Sequence, residues 1–261
     1  MGFKTGTILL SLNEGKIMTV TKDKNDALMN HLLAALPADE LARLKPDLEP
    51  VSMSLGEVLY ESGDKMTHIY FPTTAIISLL YIMENGATAE IGIAGNDGLV
   101  GVALFMGGET TSSRAVVQGA GEAVRMKTAA LKTAFALGGV FQSVLLRYTQ
   151  SLMTQISQTA VCNRLHSVDQ QLCRWLLINH DKQQTNKLVM THDLIANMLG
   201  VRREGVSIAA GKLQKKGLIK YVRGTITMLD REGLEAVSCE CYQVVREEYD
   251  RLLGEYISKN R

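Results

Sequence analysis

Net charge is nearly absent from this sequence: 28 Lys and Arg against 27 Asp and Glu leave +1 over 261 residues. The chain is therefore no wholesale basic coat for nucleic acid. Cysteine is scarce. Cys162, Cys173, Cys239 and Cys241 in a chain of this length make no disulfide framework, so reduced thiols and a cytoplasmic setting are expected. Long apolar runs are also missing. Residues 66–83 contain no Asp, Glu, Lys or Arg, but they include His68, Pro72, Thr73, Thr74 and Ser78 and are rich in β-branched residues. That composition reads as two buried strands rather than a membrane span, and no membrane association is expected. The apolar run at residues 8–10 is too short for the core of a signal peptide. There is no Gly-x-Ser-x-Gly elbow and no His-Glu-x-x-His helix. The stretch from Gly205 to Gly211-Lys212-Leu213 has the wrong spacing for a phosphate loop and no Ser or Thr after its Lys. Nothing points to an enzyme.

What is present is globular: 46% hydrophobic and 21% charged residues, enough for one large domain or two ordinary ones. The charge is unevenly placed. Residues 201–223 hold seven basic residues (Arg202, Arg203, Lys212, Lys215, Lys216, Lys220, Arg223) and one acid, Glu204, a local balance of +6. The same region is punctuated as two helices. Thr191 can cap the first, with Asp193 in its first turn and Leu194, Ile195, Met198 and Leu199 on one side. Gly200 can end it. The second spans 202–216, turns Val206, Ala209, Ala210 and Leu213 inward, and stops at Gly217. This is a helix-turn-helix pattern, in which the first residues of the second helix meet base edges in the major groove. Those residues are Arg202, Arg203, Glu204 and Ser207. Two β-prone runs then flank Arg223-Gly224, which reads as a small hairpin, a wing whose Lys220 and Arg223 reach phosphate. A basic helix face alone is more simply a solvated surface; the glycine punctuation and the wing favour DNA.

Upstream, residues 1–24 show no period and are expected to be a disordered extension, with Met18 as an alternative start to Met1. Residues 25–36 and 37–44 read as short helices. From 48 to 127, β-prone runs alternate with turns such as Glu84-Asn85-Gly86 and Gly95-Asn96-Asp97-Gly98, which suggests a small antiparallel roll. A helix follows over 126–136. After Gly138-Gly139 a long helix runs to about 164, with Phe141, Leu145, Tyr148 and Leu152 in a 4-3-4 seam. On spacing alone such a seam is more often intramolecular core. Ser167-Val-Asp-Gln170 is a capping box that starts a new helix and places a hinge at residues 165–167. Residues 188–190 form a short strand, and Asp230 caps a last helix, with an interruption allowed for.

Two motifs carry a resemblance. Leu199-Gly-Val-Arg-Arg-Glu-Gly-Val206, followed by Leu213-Gln-Lys-Lys-Gly-Leu-Ile219 and the wing, resembles the DNA-binding domain of the Crp/Fnr family of bacterial transcription regulators. Leu55-Gly-Glu-Val-Leu-Tyr-Glu-Ser-Gly-Asp64 with His68-Ile-Tyr-Phe71 resembles the opening of that family's cyclic-nucleotide-binding β-roll. The resemblance implies an α+β chain: a sensor roll with flanking helices over 25–138, a dimerisation helix and hinge over 139–166, a winged helix-turn-helix over 167–231, and a helical extension over 232–261 that packs on the DNA-binding domain or the partner subunit. It implies a homodimer joined through Phe141, Leu145, Tyr148 and Leu152, double-stranded DNA and RNA polymerase as partners, and a small-molecule effector. Arg203 and Glu204 would read bases in a near-palindromic operator. Arg202, Ser207, Lys212 and Arg223 would hold phosphates. A third family base contact falls on Ile208. The effector position would be lined by Gly101, Val102, Ser113 and Arg114, but the family's pocket carboxylate is replaced by Val102 and Arg114 lies one residue out of register, which argues against cyclic AMP. No cysteine precedes residue 162, so the family's iron–sulfur chemistry is not expected. Cys239 and Cys241 with Cys162, Cys173 and His166 could form a thiol or metal sensor. They lie far apart, however, and the five histidines show no ligand spacing, so plain buried thiols and no metal are the simpler reading. The alternative function is a small-molecule or redox sensor acting through protein contacts, with a vestigial DNA module.

Overall fold

The computed structural model describes residues 26–183 and 185–258; the expected N-terminal extension and the choice of start lie outside them. α1 (His31–Ala34) and α2 (Ala38–Leu44) lead into seven strands: β1 (Glu49–Met53), β2 (Val58–Tyr60), β3 (His68–Pro72), β4 (Ile76–Ile82), β5 (Thr88–Ala94), β6 (Arg114–Gly119) and β7 (Gly121–Lys127). They pair antiparallel in two sheets, ordered β1-β7-β3 and β2-β6-β4-β5. The inner faces enclose Ile69, Phe71, Ile77, Ala115, Val117 and Met126, all at most 1% exposed. Then come α3 (Thr128–Ala136) and α4 (Gly139–Leu165), a 27-residue helix. Among the described residues no single helix is long and apolar enough to cross a membrane.

The second unit begins with α5 (Val168–Gln183), followed by β8 (Lys187–Val189), α6 (His192–Leu199), α7 (Arg203–Lys215), β9 (Ile219–Val222) and β10 (Thr225–Met228). The chain closes with α8 (Arg231–Val237) and α9 (Glu240–Ser258). The start of α5 is the capping box read from sequence. Ser167 N–H donates to Gln170 Oε1 at 3.1 Å and Gln170 N–H to Ser167 Oγ at 3.4 Å, so each end satisfies the other's orphan donor.

Two sequence expectations need correction. Phe141, Leu145, Tyr148 and Leu152 are no dimer seam. They are 0–5% exposed and pack into the core of the roll, with Tyr148 donating to the Leu99 carbonyl at 3.2 Å. The 4-3-4 spacing selects a helix face, and the nearest apolar surface is the chain's own roll. The helix keeps packing on the roll beyond Leu152: buried Gln155 accepts from Ile93 N–H on β5 at 2.7 Å. Finally, α9 does not rest mainly on the DNA-binding unit. It runs along α4, where Arg147 Nη1 donates to the Leu252 carbonyl at 3.2 Å and buries Leu252 and Leu253 in the core of the roll.

The apolar run at 66–83 has a tertiary reason. In β4, Ile77 and Leu79 face the roll interior. Ile76 and Leu80 face the other way into a second core with Leu172, Leu176, Ile195 and Ile226. A strand covered on both faces loses the polar alternation of a half-exposed one. Replacing Leu145, fully buried, by Ala should lower stability by about 2–5 kcal/mol in a denaturant melt without changing the oligomeric state by light scattering. Dissociation of an otherwise folded protein would restore the dimer-seam reading.

Candidate nucleic-acid interface and its coupling to the sensor

The putting-together of the recognition helix follows its caps. Thr191 Oγ1 accepts from Leu194 N–H at 3.3 Å, and Gly200 takes φ +65° to close α6. α7 then buries Val206, Ala209, Ala210 and Leu213 at 0–3% exposure, the four residues expected from the period. This leaves Arg202, Arg203, Glu204, Ser207, Ile208 and Lys212 exposed. The six sequence-named DNA residues are not equally free. Arg203 Nε lies 3.3 Å from Asp193, with both side chains about two-thirds exposed. Lys212 Nζ lies 2.8 Å from Asp169 on α5. Ser207 Oγ is 2.9 Å from His192 Nδ1. Arg223 sits at the wing tip with φ +46°, followed by Gly224 at +78°, the paired positive φ of a tight hairpin turn.

Sequence reasoning missed His192. Its ring stacks on Tyr221 of β9 at 4.0 Å between centroids and joins α6, α7 and the wing. Burial lowers its pKa, and the Arg203 charge adds to this, so the ring is held neutral beside the basic face. A lone His at a helix start gives no sequence signal of such a stack.

Of the four residues expected around an effector, Arg114 faces away from the interior of the roll. Arg114 pairs with Leu80 across the β4–β6 ladder, which places it on the outer face of the sheet. There its Nη2 lies 3.2 Å from Glu61. Its neighbour Ser113 precedes the strand, with Oγ 3.1 Å from Thr111 Oγ1. Gly101 takes φ +112° before the short 3-10 turn at Val102–Leu104. The period-2 slip noted in the sequence thus turns Arg114 away from the roll interior.

The outer face instead receives the DNA-binding unit through a chain of buried polar groups. Ser78 Oγ lies 2.6 Å from Glu90 Oε2 and 2.5 Å from Gln118 Oε1. One hydroxyl proton cannot serve two acceptors. The direction of the chain is set at its far end: Asn179 Nδ2 donates to the Trp175 carbonyl, which turns Asn179 Oδ1 toward Gln118 Nε2 at 3.2 Å. Gln118 Oε1 therefore takes the Ser78 proton, and Glu90 must itself be the donor to Ser78, as a neutral acid. Its other oxygen accepts from Trp175 Nε1 at 2.9 Å. Burial pushes the Glu90 carboxyl up to about 7, offset in part by Ser78, Trp175, Arg174 and Lys182. At the junction's edge Lys182 pairs with Asp97. An acid inside a β-prone run gave no sequence hint of this role.

A further group converges at the hinge. One ligand-type atom from each of Cys162, His166, Cys239 and Cys241 lies within 4.8 Å of the other three. The fourth thiol, Cys173, is a plain buried one in the core of the DNA-binding unit. The expectation of scattered thiols and unrelated histidines is thus corrected: the spacing became visible only once α9 folded back on α4.

Comparison with known proteins agrees with this architecture. Residues 50–136 match the model of the cyclic nucleotide-binding domain and residues 170–237 that of the Crp-like helix-turn-helix domain. The chain belongs to the Crp/Fnr family. Members of this family are transcription regulators, not enzymes. Among curated proteins none matches this sequence. Similar solved structures include a Crp/Fnr-family transcriptional regulator from Eubacterium rectale, 17% identical over 79% of this chain and 96% of that one, with TM-score 0.62. FixK2 from Bradyrhizobium japonicum is 15% identical over 74% and 98%, TM-score 0.64. The c-di-GMP-responsive regulator CLP from Xanthomonas campestris is 16% identical over 74% and 99%, TM-score 0.59. As a Crp/Fnr regulator the chain carries a sensor-type roll and a DNA-binding unit docked onto it.

The Glu90 chain makes docking pH-dependent. Its pKa in the docked state lies above the ordinary carboxyl value, so the contribution is fully present below that value and is lost as pH rises through about 7. The full difference is about 3 kcal/mol. Trp175 is the chain's single Trp, so its fluorescence reports the contact directly. Wild type should show a transition near neutrality, and Glu90→Gln, whose amide can donate to Ser78 and accept from Trp175, should not. A shared profile would mean that another group titrates.

Proposed function

We propose that this Crp/Fnr regulator acts as a homodimer on a near-palindromic operator, with Arg203 and Glu204 reading base edges. The observation that carries this reading is the exposed first turn of α7, where Arg202, Arg203, Glu204 and Ser207 stand together above a buried apolar face. Arg203 can donate bidentately to guanine, and Glu204 can accept from a cytosine amine. Asp193 is an exposed partner of Arg203 that a base edge can displace at little cost, since exposed ion pairs are weak. Arg202, Ser207, Lys212 and Arg223 supply phosphate contacts. RNA polymerase as a further partner and a cytoplasmic location follow from the same role.

The dimer contact is assigned to the other side of α4. Leu146, Met153, Val161 and Leu165 are 43–72% exposed there, spaced so that one stripe runs down the helix away from the roll. Two subunits joined along this stripe would carry their recognition helices to successive turns of one DNA face. Activity then changes by a shift between docked and released DNA-binding units, driven by a signal that favours one of them. The position of Arg114 on the outer sheet face with Glu61 speaks against a cyclic nucleotide as that signal. A cavity of about 250 Å³ where Asp97, Gln155, Asp181, Arg231 and Tyr249 meet touches the roll, α4, the DNA-binding unit and α9 together. It suits an effector that biases docking.

Selection from a randomised duplex pool tests the whole reading. It should enrich a two-fold-symmetric site, and Arg203→Ala should then weaken that site by about 1–3 kcal/mol and relax one position per half-site. Equal losses on selected and random DNA would remove Arg203 from base reading. Met153→Asp combined with Leu146→Asp should give monomers by light scattering, and a dimer that persists would place the interface elsewhere.

A further inference from the structure

The thiol cluster lies outside the DNA surface and outside the roll. Cys162 and His166 are one turn apart at the end of α4, so both side chains emerge on one face. Cys239 immediately precedes α9 and Cys241 is its second residue. Cys162 Sγ and Cys239 Sγ are 3.5 Å apart, too far for a disulfide bond, and Cys241 Sγ is 3.5 Å from His166 Nδ1. A tetrahedral zinc site, with Zn–S bonds of about 2.3 Å, has S···S edges of about 3.8 Å. Four donor atoms within 4.8 Å of one another suit one ion, and are too close to stand at the separate corners of an iron–sulfur cluster.

Two neighbouring groups point the same way. The free ring nitrogen, His166 Nε2, lies 3.3 Å from Glu240, the carboxylate–histidine arrangement that orients a metal-bound imidazole. Arg174, 3% exposed, pairs with no carboxylate among the described residues, and its Nε has no hydrogen-bond partner. Its charge acts on Cys162 and Cys241. Three thiolates, a neutral imidazole and a divalent ion carry net −1, which a buried guanidinium balances. Without such an anion the Arg174 charge is buried at high cost.

We propose that Cys162, His166, Cys239 and Cys241 bind a single zinc-class divalent ion in a tetrahedral Cys3His site that ties the start of α9 to the hinge between α4 and α5. His166 coordinates through Nδ1. Each thiol loses its proton to solvent on binding, so loading releases protons and is favoured by rising pH. Because His166 is itself the hinge residue, and Gln171 Nε2 donates to its carbonyl at 3.0 Å, an occupied site holds the segment about which the DNA-binding unit turns. This consequence rests on the regulator reading; the metal site does not.

The test is a titration of reduced, full-length protein with Co²⁺ and then Zn²⁺. One equivalent of Co²⁺ should bind with the charge-transfer and ligand-field bands of tetrahedral thiolate coordination, and Zn²⁺ should displace it. Hydrogen exchange over residues 163–168 and 238–242 should slow on loading. His166→Cys should keep binding with a four-thiolate spectrum, whereas Cys239→Ser with Cys241→Ser should lower affinity at least a hundredfold. No thiolate bands in the reduced wild type would overturn the site, as would octahedral bands or binding unchanged in the double variant. A Cys162–Cys239 disulfide that persists under thiol reductant would overturn it in favour of a redox bond. Loss of DNA binding with metal binding intact would instead count against the regulator reading alone.

Discussion

The docking of the DNA-binding unit on the outer face of β4, β5 and β6 is the contact on which the rest of the architecture depends. It combines an apolar part, Ile76, Leu80 and Ile93 against Leu172 and Leu176, with the polar chain from Glu90 to Asn179. The apolar part is permissive: it makes the face sticky without setting an orientation. The polar chain is directional. Each acceptor in it takes one donor, and in a dry interface a mispaired member costs about 1–3 kcal/mol. The protonated state of Glu90 is what completes the chain, so one proton is part of the interface.

This arrangement makes the surface of the regulator divisible. The basic first turn of α7 faces solvent while the opposite side of its unit is held against the sensor. Most sequence-named DNA residues are free or only weakly engaged, and the ion pair of Arg203 with Asp193 is itself exposed. The long helix α4 is shared in a similar way. One face is core of the roll, a second is covered by α9, and a third keeps an exposed apolar stripe. The C-terminal extension therefore acts as a clamp along α4. Its start meets the hinge, and its end reaches the core of the roll at Leu252 and Leu253.

The effector question turns on one strand period. Arg114 sits where a phosphate-binding residue would be sought by position, but β6 turns it outward, opposite Leu80. A one-residue offset in a strand reverses its face. The roll is thus kept while this guanidinium leaves its interior. The junction cavity and the hinge cluster lie where the parts meet, the natural place for a signal that acts on their relative pose.

Local physics made much of this molecule legible in its sequence. The caps at Thr191, Ser167 and Asp230, the turn at Gly200, the wing at Arg223-Gly224 and the buried face of α7 all depend on residues a few positions apart, so the sequence determined them by itself. The apolar period of α4 was equally legible, but which surface met it was not: Phe141, Leu145, Tyr148 and Leu152 select a face, and only the tertiary fold decided that the face belongs to the roll. Glu90, His192 and the set of Cys162, His166, Cys239 and Cys241 were beyond local reading for the same reason. Their partners lie 85 residues away for Glu90 with Trp175 and 77 for Cys162 with Cys239, and a side chain's protonation or ligand set is determined by what the folded chain brings beside it.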